Sequence, residues 1–114
     1  MIRFPKSHRL HHAKEFSAVV RFRCSVSSEF LQVFAKPNDR AYSRLGLVVA
    51  RKTERLAVNR NRIKRKLREA FRAQQGQLAG LDVVVRLRRP LRQTGSGLAE
   101  DAHKLMVQLQ RCRG

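Results

Sequence analysis

Residues 59–73 contain neither glycine nor proline, and Ile63, Leu67, Ala70 and Phe71 recur through them at i, i+4, i+7 and i+8. At about 100° per residue these four fall within roughly a third of a helix circumference, so the segment is predicted to be an amphipathic helix. With Ile63 as zero, the apolar residues span about −20° to 80°, and Lys64, Arg68, Arg72 and Arg65 follow between about 100° and 200°. Any fold for this chain must bury the first stripe and leave the second to solvent or to an anion. An ordinary solvated face mixes signs for i,i+4 support, whereas here only Glu69 supplies the other sign. Such a rail rises about 1.5 Å per residue and can follow a phosphate backbone over several nucleotides.

The rest of the chain amplifies this imbalance. Its 114 residues carry 26 Lys+Arg against 8 Asp+Glu, a formal charge of +18. Residues 51–72 alone hold 10 basic side chains against Glu54 and Glu69, a local charge of +8. An excess of this size repels itself in the compact state and points to a polyanionic partner, nucleic acid first. The 19 Arg and 7 Lys fit that partner, since guanidinium forks onto phosphate and stacks on bases. A GC-rich genome would also raise the Arg share, so the total charge carries more weight than the ratio.

With 42% hydrophobic residues the chain is not globally disordered, and its length suits one domain spanning residues 1–114. The longest clean apolar run, residues 45–50, falls far short of the roughly 18 residues of a membrane span. No apolar stretch follows Met1-Ile2-Arg3-Phe4-Pro5-Lys6, so no secretory signal is expected, and a cytoplasmic location is. Cys24 and Cys112 form no CxxC or zinc spacing and are read as reduced thiols.

Residues 1–12 read as a flexible, extended arm. Phe16, Val19, Val20 and Arg23 give residues 14–23 helical spacing. Residues 29–36 are rich in β-formers and stop at Pro37-Asn38-Asp39-Arg40, a turn; residues 45–50 read as a buried strand, and the two are expected to pair as neighbours. Residues 82–88 give another strand, ending before Pro90, and Gly95-Ser96-Gly97 breaks the chain again. Leu98, Ala102, Leu105, Met106 and Leu109 then mark a final helix. The order is α-β-β-α-β-α, with room for one more strand at residues 23–29. This predicts a small mixed sheet with about three helices, an α+β (α/β) two-layer sandwich, in which the strand-helix-strand unit over residues 45–87 favours parallel pairing.

At the predicted start of the long helix, Asn59-Arg60-Asn61-Arg62 places two cations where helix amides are unpaired and the dipole is positive. Capping explains the asparagines but not the arginines, which an anionic ligand would explain. The stretch Ala57-Val58-Asn59-Arg60-Asn61-Arg62-Ile63-Lys64-Arg65-Lys66-Leu67-Arg68-Glu69-Ala70-Phe71-Arg72 resembles the Arg-Asn-Arg signature of the bacterial ribonuclease P protein subunit. The similarity extends to Phe4-Pro5, Arg9-Leu10 with Glu15-Phe16, Arg44-Leu45-Gly46-Leu47-Val48-Val49 with Arg51-Lys52, and Asp82-Val83-Val84-Val85.

The resemblance implies an RNA-binding subunit of an endoribonuclease that removes the 5′ leader of precursor tRNA. The RNA subunit would perform the hydrolysis and hold most of the Mg²⁺, with one protein per RNA. The implied fold is a small α/β sandwich with a left-handed βαβ crossover, a handedness opposite to the general rule. Contact with the catalytic RNA carries over to Arg60, Asn61, Arg62, Lys64, Arg65 and Arg68. The leader-binding cleft carries over to Phe16 and Phe34, with Arg51, Lys52, Arg88 and Arg89 on leader phosphates. Where many members have a second aromatic one turn after Phe16, this chain has Val20, and Phe22 points to another face.

Other chemistries find little support. His8 and His12 stand at i,i+4 but lack a third ligand type, so no metal site is assigned. No Ser-His-Asp set, P-loop or GxGxxG occurs, and the eight carboxylates do not cluster as a two-metal nuclease requires, so no catalytic residue is assigned to the protein. The rival reading is a ribosomal or RNA-chaperone protein without a nuclease role. DNA binding lacks a helix-turn-helix spacing, and a membrane surface would compete for the apolar face the core needs.

Overall fold

The computed structural model describes residues 6–91 and 97–113. The first five residues of the expected arm, Arg92 and Gly95-Ser96 lie outside them. Helix α1 spans Ala13–Arg21, followed by strands β1 (Ser25–Ser27), β2 (Leu31–Pro37) and β3 (Arg44–Val48). Helix α2 (Ala57–Gln74), strand β4 (Leu81–Leu87) and helix α3 (Leu98–Gln108) complete the fold, with short 3-10 helices at Lys6–His8 and Leu109–Arg113. The sheet order is β1-β2-β4-β3; β4 runs antiparallel to β2 and parallel to β3.

The expected pairing of the second and third strands does not occur, because β4 lies between them. The reason is burial. Six of the seven β4 residues are buried, so β4 needs covered faces and a partner on each edge. The shorter β3 takes the outer position, where its free edge is met by the parallel bridge of Arg9 to Leu45. The end of the expected flexible arm is thereby docked: Leu10 donates its N–H to the Leu45 carbonyl at 2.9 Å and is itself buried.

Strand alternation divides the core. Leu31, Val33 and Ala35 of β2 and Val83, Val85 and Leu87 of β4 face α2, α3 and the C-terminal 3-10 helix, the larger core of the expected small α+β sandwich. The apolar stripe of α2 is seated here: Ile63, Leu67 and Phe71 are fully buried. At roughly 1.5–3 kcal/mol per buried side chain, this stripe holds the helix despite the repulsion along its cationic side. Phe34, Val84 and Gly46 occupy the opposite face, where α1 supplies Phe16 and Val19 as a smaller cover. The first strand, β1, is the extra one foreseen at residues 23–29.

Cys24 and Cys112 are not reduced thiols but a disulfide, with Cα atoms 5.7 Å apart. Cys24 directly precedes β1, and the 3-10 helix that carries Cys112 packs against β1 and β2. Arg111 Nη2 donates to the Ser25 carbonyl at 2.7 Å beside the crosslink. Positions at opposite ends of the sequence thus meet on one sheet edge, a proximity that cysteine spacing does not report.

Candidate nucleic-acid interface

Helix α1 is set on the sheet by an ionic hub. Arg44 of β3 donates from Nη1 to Glu15 of α1 at 2.7 Å, and from Nε and Nη2 to the two carboxylate oxygens of Asp82 on β4 at 2.8 and 2.7 Å. Asp82 holds Arg44 more strongly protonated than an ordinary guanidinium, and Glu15 adds to this against the cost of burial. Glu15 also accepts the N–H groups of His11 and His12 at 2.8 and 3.0 Å, which closes the first turn of α1. Those two backbone bonds, then Arg44, lower its pKa from 4.5 to about 2 against an opposing desolvation. A carboxylate depressed in the folded state stabilises it fully above the unfolded value and loses that effect as pH falls through the folded one. The denaturation midpoint should therefore fall between about pH 4.5 and 2. Glu15→Gln should flatten that part of the profile, and an unchanged slope would detach Glu15 from acid unfolding.

The hub positions Phe16 over Gly46. A Cβ added at Gly46 would lie 2.5 and 2.7 Å from two Phe16 ring carbons, closer than packed atoms approach. Gly46 is thus a site residue that the sequence did not reveal, since it acts through an absence of atoms. Gly46→Ala should displace the ring and cost about 1–3 kcal/mol, read by chemical denaturation. A variant as stable as the parent, with an unshifted Phe16 ring resonance, would refute the close packing.

Beside the ring lies a notch of about 150 Å³ lined by Phe16, Gly46, Arg9, Lys64 and Arg68 over Leu10, Leu45 and Leu47. This is small against the roughly 300–1,000 Å³ of a small-molecule pocket, and it suits one group of a longer ligand. It joins two sets of residues the sequence kept apart, since Phe16 belongs to the expected leader cleft and Lys64 and Arg68 to the expected RNA helix. Burial, then the nearby Arg9 and Arg65, lower the Arg68 pKa below that of a free guanidinium. Among the described residues no carboxylate forms an ion pair with Lys64, Arg65 or Arg68. Lys64, Arg65 and Arg68 thus form a crowded cationic group with no carboxylate partner among the described residues, so an anion approaching them is favoured.

The remaining expected residues divide. Asn61 and Arg62 are exposed at the start of α2, next to Arg65. Arg60 turns back instead: its Nη1 donates to the carbonyls of Glu54 and Arg55 at 2.9 and 2.8 Å, and so braces the loop entering α2. Phe34 is buried with Val19 and Val84 beneath α1, which makes it the floor of the cleft and not a surface ring. Arg51 and Lys52 are exposed in the turn after β3. Arg88 Nη1 donates to the Ser28 carbonyl at 2.6 Å, and Arg89 lies 4.0 Å from Glu29, so both turn toward the β1–β2 connection. None of these last four lines the notch. Val20 and Phe22 are both exposed. Among the described residues no three His, Cys, Asp or Glu gather as metal ligands.

A family model described as Ribonuclease P matches residues 4–110 of this chain. The ribonuclease P protein component of Methylococcus capsulatus is 45% identical over 114 aligned positions, covering 97% of this chain and 88% of that protein. That of Nitrosomonas europaea is 49% identical over 87 positions, covering 76% and 73%. Among solved structures, the Staphylococcus aureus RNase P protein superposes with a TM-score of 0.82 at 25% identity, covering 92% of this chain and 97% of that one. The Thermotoga maritima RNase P protein gives 0.67 at 28% identity, covering 93% and 96%.

Proposed function

We propose, from the premise that this chain belongs to the ribonuclease P protein family, that it binds a catalytic RNA along α2 and the 5′ leader of precursor tRNA beside α1. Family membership places it in tRNA processing as an RNA-binding subunit, and the ribosomal or chaperone alternative is not favoured. The observation that carries the finer reading is the notch where Phe16 meets Lys64, Arg68 and Arg9. A ring at the wall of a cationic cleft can stack an unpaired base while its neighbours neutralise phosphates, the arrangement single-stranded RNA requires.

In this reading Asn61, Arg62, Lys64, Arg65 and Arg68 contact the catalytic RNA, while Arg60 presents them by fixing the entry to the helix. Phe16 meets the leader on a floor made by Phe34, and Arg51 and Lys52 extend the cationic path at the far end of β3. Arg88 and Arg89 reach leader phosphates only at the β1–β2 side. Phosphodiester hydrolysis, and the Mg²⁺ that assists it, belong to the RNA. The protein's carboxylates support this division, because Glu15 and Asp82 are committed to Arg44 and Asp101 accepts a hydrogen bond from Ser28. One protein per RNA, in the cytoplasm, completes the proposal; among the described residues no helix is long and apolar enough to cross a membrane.

The test combines the protein with ribonuclease P RNA and precursor tRNA at low Mg²⁺. Cleavage should be faster than with RNA alone, and equal rates would end the assignment. Phe16→Ala should weaken the holoenzyme's binding of precursor tRNA but leave mature tRNA, which lacks a leader, unaffected. Equal loss on both substrates would remove Phe16 from leader recognition.

A further inference from the structure

Away from α2 and from the Phe16 notch, one more surface combines aromatic rings with a cation. Tyr42, in the connection between β2 and β3, meets His8 of the first 3-10 helix with ring centroids 4.5 Å apart and planes inclined at 46°. Arg40 donates from Nη1 to the Tyr42 hydroxyl at 3.2 Å, with its guanidinium carbon 5.9 Å from the ring centre. Both rings are half-buried and Arg40 is exposed.

The loop beneath them is fixed by the Asn38 side chain. Asn38 Oδ1 accepts the Arg40 N–H at 2.8 Å, and Asn38 Nδ2 donates to the Tyr42 carbonyl at 3.2 Å and to Asp82 at 2.8 Å. Asp39 between them adopts φ +58°, a left-handed turn conformation that Asp tolerates better than most non-glycine residues. The cluster is therefore presented in one geometry. Among the described residues no carboxylate forms an ion pair with Arg40, and Asp82 is committed to Arg44 and Asn38.

A purely structural role for the ring pair would be to pin the first residues to the sheet. That task is already done by the Arg9–Leu45 bridge and the burial of Leu10. What the rings add is a partly exposed aromatic surface with a cation at its edge, one residue along the chain from the Arg9 that lines the notch.

We propose that His8, Tyr42 and Arg40 form a separate site for an unpaired nucleotide of RNA, in which the base stacks on the ring pair and Arg40 holds the adjoining phosphate. The proposal rests on the RNA-binding reading above and adds to it a contact outside the α2 face and the α1 cleft. Stacking on an aromatic ring is tolerant of base identity, so the site takes a single strand without strong sequence preference.

Tyr42 is the only tyrosine and the chain has no tryptophan, so intrinsic tyrosine emission reports this site alone. A short, labelled oligouridylate titrated into the 114-residue chain should bind by anisotropy and quench that emission in parallel, while inorganic pyrophosphate should not quench it. Tyr42→Leu should weaken oligouridylate binding about tenfold with an unchanged salt slope, and Tyr42→Phe, which keeps the ring, should restore it. Arg40→Gln should instead flatten the slope by roughly 0.7, the value of one single-strand phosphate contact. Binding with unchanged Tyr42 emission, or equal quenching by pyrophosphate, overturns this site and leaves the α2 reading standing. No binding of oligouridylate at all overturns both.

Discussion

Replacing Arg62, Lys64 and Arg65 together by alanine is expected to lower affinity for the catalytic RNA about 100-fold at 0.15 M salt. Each lost phosphate contact flattens the dependence of log K on log salt by roughly 0.7 to 0.9, and near 0.15 M that corresponds to about 0.7 log units per contact. The structure shows why the loss should fall on binding and not on folding. Arg62 and Arg65 are exposed, Lys64 is half-buried at the notch, and among the described residues none of the three forms an ion pair with a carboxylate. Their removal relieves like-charge repulsion, so thermal stability should hold or rise slightly. Filter binding across a salt series reads both quantities, and an unchanged slope would take this face of α2 out of the interface. Arg60→Ala should behave in the opposite way, because that side chain spends its donors on the carbonyls of Glu54 and Arg55. It should loosen the entry to α2, with a smaller change in slope than the others.

The second large effect concerns the covalent link between Cys24 and Cys112, which are 88 residues apart in sequence. Closing a loop of that length removes entropy from the unfolded chain worth up to about 4–5 kcal/mol. Small domains are stable by only about 5–15 kcal/mol in all, so the link can represent a large fraction of the total. Reduction by a dithiol, or Cys24→Ser with Cys112→Ser, should lower Tm by roughly 15 °C. The two treatments should agree, since both free the same loop. A Tm that moves by less than a few degrees would mean that the bonds of Arg111 to Ser25, and of Arg113 to Ala79, hold the C-terminal 3-10 helix without the crosslink.

The features legible in the sequence were those written locally. The periodicity of Ile63, Leu67, Ala70 and Phe71 marks α2 because a helix is built from neighbours three and four residues apart, and its cationic side follows from the same arithmetic. The strands were legible as apolar runs bounded by Pro37-Asn38-Asp39 and Pro90. Strand order was not, because β2 and β3 are consecutive in sequence and the crossover through α2 lets β4 pass between them. The disulfide was hidden for the same reason, as was the Arg44 hub, whose partners lie 29 and 38 residues away. A signal for the hub did exist. In a chain with so few acids, Glu15 and Asp82 each invite the question of which cation they serve, and Asp82 stands in β4 directly before three valines. The signature motif marked α2 as a unit, but it could not separate Arg60, which braces a loop, from Arg62, which is exposed.

The position of β4 also governs how this molecule comes into being. Neither β2 nor β3 has its main partner until residues 81–87 exist, so a chain synthesised from its N-terminus carries the complete α2 helix before it has a closed sheet. Sheet closure then waits on contacts across long loops, which slows folding relative to a chain of local contacts. During that interval the apolar stripe of α2 lacks its cover, while its cations already attract polyanions. An RNA held there would meet the chain before the tertiary fold is finished, so assembly and folding share a time window.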